Sequence, residues 1–501
     1  MVSKEMPLLL DDDIPMQLTG VGDVGDVDDL FGDASALPLR PAIRHLDHRL
    51  DVLRNRGCCQ TVAWSRVGTV ASITPDGQEL ELRFLRSHPA DGEWGLSEPT
   101  ACTLVRGSPE FPLVHLEWAG TNNPELAIFD AGGRVALLIF STTLTHPFVV
   151  RRWDTDTVDE LQSLAGCHWL PVAASTPNSS SANSSAGNRQ SYNVMFGPAT
   201  KTANGSYHYE SSFMHAEGPS HPLPARTALL TVSMGGSLKM LFMQMNNKLE
   251  ETTLELESIS TVNEIVTHAA FASEKKYLIL ALATSSRQLK FVKVDIQWGA
   301  QPGKTGPQNA RFNATLTEKH CATASCPVDS AEDASVSHIS HLLALPSLLD
   351  NSGKNMVPPQ VIAVRSRAPN AGPFSAPQTV IDRWEAVEQR HPLHPAVEQL
   401  GNRGNNNSDT NPGLCLRPLE PTVLSKTIIG IQSIQFGKVI VLTYSDGTIE
   451  YRDRFTFQEI YTDQDTSTLS NLRQVGWTFP EDGPCRLLHC FSCLGNWQFW
   501  S

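Results

Sequence analysis

Val439-Ile440-Val441-Leu442-Thr443-Tyr444 is followed by Ser445-Asp446-Gly447, and that by Thr448-Ile449-Glu450-Tyr451-Arg452-Asp453. The first run is apolar and β-branched, as a half-buried or buried strand requires. The tripeptide is a turn in which glycine can supply a positive φ. The last run alternates apolar and polar side chains. With Ile434-Gln435-Phe436 ahead of it, the stretch is a small antiparallel unit.

The unit recurs. Val62–Ser65, Thr69–Thr74, the turn Pro75-Asp76-Gly77 and Leu80–Phe84 form one copy. Leu113–Ala119, Glu125–Phe129, the turn Asp130-Ala131-Gly132-Gly133 and Arg134–Ile139 form a second, with Trp118 placed 54 positions after Trp64. A third reads Ala228–Val232, Met234-Gly235-Gly236-Ser237 and Leu238–Phe242. A fourth reads Thr267–Phe271, Tyr277–Leu282, Ser285-Ser286-Arg287 and Leu289–Asp295. Cys167–Leu170 opens a weaker copy, and Ser337–Leu345, Val361–Arg365 and Thr379–Trp384 make another. Seven units of about 40–55 residues, each a small antiparallel sheet, predict an all-β fold, a seven-bladed WD40-like β-propeller. A four-stranded sheet cannot bury both faces alone, and packing blades around an axis covers them. Asp446-Gly447-Thr448-Ile449-x-Tyr451-x-Asp453 is close to the third strand of a WD40 blade, with Arg452 where Trp is usual, and Trp153-Asp154 is a Trp-Asp pair. No long stretch repeats at 3.6 residues, so no helical domain is expected.

The 501 residues carry a formal charge of −14. Within residues 1–33, eight Asp and Glu5 stand against Lys4, so −8 lies there and −6 is spread over the remaining 468. An acidic chain of this kind lacks the cationic face of a non-specific nucleic-acid binder. Residues 1–45 read as an acidic disordered tail, in which Asp28-Asp29-Leu30-Phe31-Gly32-Asp33 is either a short docking motif or solvating chain. Residues 46–465 read as the propeller, with polar loop insertions near 174–206, 299–335, 366–379 and 400–413. Residues 466–501 read as a C-terminal extension. The start has no signal-peptide pattern, and the apolar runs Val135–Phe140 and Tyr277–Ala283 are far shorter than a membrane helix. Ten cysteines without a secretory signal read as reduced thiols.

Motifs with chemistry are few. Gly299-Ala300-Gln301-Pro302-Gly303-Lys304-Thr305 has three residues between its glycines where a phosphate loop needs four, and no helix pattern follows it. Cys321, Cys326, His338 and His341 fail zinc-finger spacing, since two residues between the histidines put them on opposite faces of a strand. His391 and His394, with Glu385 and Glu388 upstream, match no metal pattern. Nor do Cys485, His489, Cys490 and Cys493. The methionines of Lys239–Met245 read as strand packing. No nucleophile elbow and no His-Glu-x-x-His is present. The reading therefore names no catalytic, cofactor-binding or metal residue.

An ordered series of segments resembles a known family. Cys58-Cys59-Gln60-x-Val62-Ala63-Trp64-Ser65, Asp91-Gly92-Glu93-Trp94-x-Leu96-Ser97-Glu98 and Leu113-Val114-His115-Leu116-x-Trp118 are similar to the N-terminal region of fungal Mediator complex subunit 16. So are Glu125-Leu126-Ala127-x-x-Asp130, Val266-Thr267-His268-Ala269-Ala270, Val292-x-Val294-x-Ile296-x-Trp298 and Val380-Ile381-x-Arg383-Trp384. Val27–Gly32 looks like the start of family members. The likeness runs over about residues 25–480. It implies a WD40-type propeller in the tail module of Mediator, a nuclear transcription coregulator. It also implies protein–protein scaffolding between gene-specific activators or repressors and RNA polymerase II, with other Mediator subunits as partners and the polymerase reached indirectly. No enzymatic activity, cofactor, membrane contact or sequence-specific nucleic-acid binding is expected. Family members continue into a long α-helical half, whereas Cys485–Cys493 does not look like that continuation, so a truncated chain is expected. Two other readings stay open on the residues alone. One is a WD40-type scaffold outside transcription. The other is a propeller enzyme, which would gather His and carboxylates from several blades at the central channel.

Overall fold

The computed structural model describes residues 43–460, except 88–93, 172–190, 302–310, 328–337, 368–378, 390–412 and loop stretches of five residues or fewer. Six antiparallel sheets follow one another along the chain. Blade 1 holds Val62–Trp64, Thr69–Ile73 and Glu79–Ser87, with the short strands Trp94–Leu96 and Thr100–Arg106 on its outer edge. Blade 2 holds Leu113–Trp118, Glu125–Asp130, Val135–Ile139 and Phe148–Arg151. Blade 3 holds Leu164–Trp169, Ala228–Ser233, Ser237–Met243 and Leu249–Glu255. Blade 4 holds Val266–Ser273, Leu278–Thr284, Gln288–Gln301 and Arg311–Ser325. Blade 5 holds His341–Leu345, Gln360–Ser366, Thr379–Gln389 and Gly413–Pro418, with Thr422–Leu424 at its edge. Blade 6 holds Ile428–Ile434, Val439–Tyr444 and Ile449–Asp453.

The expected seventh blade is therefore absent from the described residues. Cys167–Leu170 does not open a separate blade: Leu164–Trp169 is the inner strand of the sheet that contains Ala228–Met243. A hairpin of Ser191–Lys201 against Tyr207–His215 is inserted between the first and second strands of that blade, which split one unit into two apparent ones. The insertion expected near 299–335 also differs in kind. Gly299–Gln301 and Arg311–Ser325 are strand, paired as Gly299↔Asn313 through Gln288↔Ser325. Phe312, Ala314 and Leu316 turn inward at period 2 while their neighbours face water.

The hydrophobic cores lie between blades, and alternation along each second strand explains them. Leu278, Leu280 and Leu282 pack towards blade 3, and Ile279, Ala281 and Ala283 towards blade 5. Leu126 and Ile128 face blade 1, and Ala127 and Phe129 face blade 3. Val361 and Ala363 face blade 4, and Ile362 and Val364 face blade 6. Both faces of these strands are covered, which is why Leu278–Thr284, Gln360–Ser366 and Val439–Tyr444 are buried throughout. Inside the wedge between blades 4 and 5, Arg365 Nε donates to Asp382 Oδ2 at 2.8 Å, with both side chains buried.

The succession of shared cores runs from blade 1 to blade 6 and does not return: among the described residues no hydrophobic cluster joins blade 6 to blade 1. A helix, Ile43–Asn55, precedes blade 1. Leu46, Leu50 and Leu53 lie on one face at spacings of four and three, and pack on Cys59 and on Ile429 of blade 6. No helix among the described residues is long and apolar enough to cross a membrane.

Candidate functional site, the axial end of the blades

Four inner strands begin the same way. Register shifts fall between Leu113 and His115, Leu164 and Gly166, Val266 and His268, and Ile428 and Gly430. Each is a bulge of one residue, which bends the strand and re-aims the side chain that follows. At the two positions occupied by histidine, the ring meets the chain that leads into blade 1. His268 Nε2 lies 2.8 Å from the Leu53 carbonyl oxygen, so this nitrogen carries the proton and donates. Burial holds the His268 pKa down to about 4, so the ring is neutral. Arg49 Nη1 donates to the Cys59 carbonyl at 3.4 Å, and Arg54 Nη2 donates to the Ser366 carbonyl of blade 5 at 2.7 Å. A segment that touches blades 4, 5 and 6 at once, and leads into blade 1, lies on the axis. The exposed Asp47, His48 and Asp51 give its other face to water.

Beyond the helix, residues 56–60 cross the inner strands in reverse blade order. The Gly57 N–H donates to the Thr267 carbonyl of blade 4 at 3.0 Å. A Cβ at Gly57 would lie 2.3 Å from the Ala165 carbonyl oxygen of blade 3 and 2.9 Å from the His268 Cα, so only glycine fits this crossing. Cys58 then reaches Cys167 of blade 3 and His115 of blade 2, the three donor atoms lying within 4.8 Å of one another. The Gln60 N–H donates to His115 Nδ1 at 3.0 Å, and the Leu116 N–H donates to the Gln60 carbonyl at 2.8 Å.

The Gln60 contact decides what His115 can do. Nδ1 accepts a backbone N–H, so the ring proton sits on Nε2. Nε2 lies 3.3 Å from Cys167 Sγ and 3.5 Å from Glu117 Oε2, and is their donor. A metal-ligating histidine needs a bare nitrogen towards the ion and an N–H on the other side; His115 presents the reverse. The arrangement is a His115 Nε2–H donated to Cys167 Sγ, with the Cys58 sulfur beside them. The neighbouring Cys167 thiol draws the Cys58 thiol below its ordinary range against the effect of burial, and Cys58 in turn pushes Cys167 up. The acidic neighbours draw His115 upwards against burial. A proton on Nδ1 would nevertheless set two donors face to face, so the backbone selects the neutral ring.

Two further inner-strand histidines have structural settings. His168 stacks on Phe271 with ring centroids 5.6 Å apart, and burial takes its pKa to about 4. His341 Nδ1 lies 3.0 Å from Ser340 Oγ, and burial takes its pKa to about 3. Four blades in succession thus place histidine on the inner strand, a grouping the sequence reading did not single out. The signal was there in the parallel triplets Leu113-Val114-His115 and Val266-Thr267-His268.

The motifs weighed from sequence fare differently. Gly299–Gln301 end a strand whose partner strand begins at Arg311, with Pro302, Gly303, Lys304 and Thr305 outside the described residues. Cys321, Cys326, His338 and His341 are not brought together as a donor group among the described residues. Cys326 is buried, and that burial raises its thiol to about 11. His391, His394, Cys485, His489, Cys490 and Cys493 lie outside the described residues, as does Asp28–Asp33. Trp153 of the Trp-Asp pair is buried under the Arg134 guanidinium at 5.1 Å. A groove of about 490 Å³ between blades 4 and 5 is lined by Glu274, Tyr277, Lys293, Met356 and Leu414.

The model of the family "Mediator complex subunit 16, N-terminal" matches residues 168–482. Mediator of RNA polymerase II transcription subunit 16 of Aspergillus clavatus is 30% identical over 95% of this chain and 49% of its own length. The protein of the same name from Yarrowia lipolytica is 21% identical over 79% of this chain and 43% of its own length. The chain thus spans about half the length of the curated relatives it matches. Among solved structures, Chaetomium thermophilum Sqt1, bound to the N-terminus of ribosomal protein L10, covers 80% of this chain with 74% of its own. It shares 10% identity at a TM-score of 0.39, so the propeller assignment rests on the sheet order given above. With a family match over most of the propeller, the chain belongs to the Mediator complex subunit 16 family.

Proposed function

We propose that this chain is a scaffolding component of the Mediator complex, in its tail module. In this reading it contacts other Mediator subunits and, through the assembly, links gene-specific activators or repressors to RNA polymerase II in the nucleus. The observation that carries the reading is the family match over residues 168–482, joined by relatives that all bear the Mediator subunit 16 name. Residues 46–465 would be the working propeller, preceded by the acidic stretch and followed by the extension from 466. A non-catalytic role is supported by what the inner-strand histidines do. His115 and His268 are committed to backbone groups of residues 53–60, and that segment covers the axial end where a propeller enzyme would gather its substrate. The acidic charge fits contact with protein partners and not with DNA.

The test is purification of the tagged 501-residue chain from nuclear extract, with mass spectrometry of the associated proteins. Recovery of other Mediator subunits in near-stoichiometric amounts is the expected result. Recovery of a stable set of partners without any Mediator subunit overturns the proposal and leaves a WD40-type scaffold outside transcription.

A further inference from the structure

We propose that Cys58 and Cys167 are a peroxide-sensitive dithiol, whose oxidation to a disulfide ties the chain entering blade 1 to the inner strand of blade 3. The two sulfurs and His115 Nε2 already lie within 4.8 Å of one another, on segments held by the Gly57–Thr267 and Gln60–His115 hydrogen bonds. A disulfide needs the sulfurs to close to about 2 Å from a separation of no more than 4.8 Å. The surroundings of Cys58 set an order of events. Cys58 Sγ sits within 4.8 Å of the Cys167 thiol and the His115 ring, and these neighbours draw its thiol below the ordinary range, which makes Cys58 the nucleophile. The alternative use of the cluster, binding a divalent metal, is opposed by the Nε2 proton.

The co-reactant is a small hydroperoxide. Cys58 is buried at 7% exposure and Cys167 is half-buried, which suits a small oxidant such as hydrogen peroxide better than a bulky disulfide such as oxidised glutathione. The Cys58 thiolate attacks one peroxide oxygen; an S–O bond forms, the O–O bond breaks, and hydroxide leaves to become water. Cys167 sulfur then attacks Cys58 Sγ; the S–S bond forms, the S–O bond breaks, and the departing hydroxide takes the Cys167 proton. Two thiols and one peroxide give one disulfide and two waters. The link encloses blades 1 and 2 and fixes residues 57–60, so the oxidised form should resist unfolding better than the reduced one.

The experiment treats the reduced full chain with limiting hydrogen peroxide, alkylates the remaining thiols, and maps the peptides by mass spectrometry. The expected product is a Cys58–Cys167 peptide lacking two hydrogens and reversed by dithiothreitol. It should appear about tenfold faster than any link involving Cys59, Cys102 or Cys326, which are as buried as Cys58 but whose thiols burial holds above the ordinary range. Cys59→Ser should leave the link intact, and Cys167→Ser should leave Cys58 oxidised but unlinked. The mapping on the unmodified chain is decisive even if a variant misfolds. Recovery of Cys58 and Cys167 as separately alkylated thiols, or a Cys58–Cys59 link, overturns the proposal. So does one equivalent of zinc that is retained by the reduced chain through dialysis and lost in Cys58→Ser, since the cluster would then be a metal site.

Discussion

Gly57→Ala isolates the crossing of the axis. The added methyl would lie 2.3 Å from the Ala165 carbonyl oxygen, 2.9 Å from the His268 Cα and 3.1 Å from the Thr267 carbonyl oxygen. All three are backbone atoms of inner strands buried between blades, so no flexible side chain can yield. Two outcomes are open to the chain, and they have similar magnitude. If residues 56–60 stay in place, the strain of overpacking is about 1–3 kcal/mol. If they shift, the Gly57–Thr267, Gln60–His115 and Leu53–His268 hydrogen bonds are lost at about 1 kcal/mol each. Either way the variant should lose about 3 kcal/mol. A shift should also free the helix, exposing Arg49, Arg54 and Arg56 to trypsin. Urea unfolding and limited proteolysis check both expectations. Gly95→Ala is the control, since nothing lies within 4 Å of the Cβ added there, and its effect should stay within about 0.5 kcal/mol. A Gly57→Ala chain as stable as wild type and as resistant to trypsin would refute the placement of residues 56–60 against the inner strands.

Three further expectations follow from buried groups. His268 has a folded pKa of about 4 against an ordinary 6.5. Above pH 6.5 neither state is protonated there; between 6.5 and 4 the unfolded chain binds a proton that the folded one refuses, so stability falls as pH falls, by about 1 kcal/mol per pH unit. His268→Gln should flatten the slope of stability between pH 6.5 and 5 by that amount in urea titrations, and an unchanged slope would show that the ring is open to solvent. Asp382→Asn leaves the buried Arg365 without its counter-charge and should cost about 3–5 kcal/mol, whereas Arg365→Met with Asp382→Leu should recover much of the loss. Leu50→Ala, at a fully buried position of the helix, should cost about 2–5 kcal/mol by thermal or urea unfolding.

The hairpins were legible because alternation and turn chemistry are local. Gly77, Gly133, Gly236 and Gly447 all have positive φ at the turns read from sequence, and the Asp446 carboxylate accepts the Thr448 N–H at 3.0 Å as that turn requires. The blade count was not legible, because the Ser191–His215 insertion separates Leu164–Trp169 from the strands it pairs with, and pairing across such a gap leaves no local trace. Residues 299–325 misled by composition. Gly299 and the prolines nearby suggested a loop, although Phe312, Ala314 and Leu316 carried the strand period. The helix was available in Leu46, Leu50 and Leu53, but three apolar positions in so short a stretch do not stand out as a helical period. The axial cluster could not be found this way. Cys58, His115 and Cys167 are each about one blade apart in sequence, and they meet only because successive blades turn about a common axis.

The central structural claim is that residues 43–60 are part of the propeller and cover the end of its axis. Hydrogen–deuterium exchange on the intact chain tests it most directly. The amides of Leu50–Leu53, Gly57 and Gln60 should exchange slowly, with protection approaching that of the fully buried strand Leu278–Thr284. Exchange of these amides at the rate of an unstructured peptide, with the strand still protected, would contradict it.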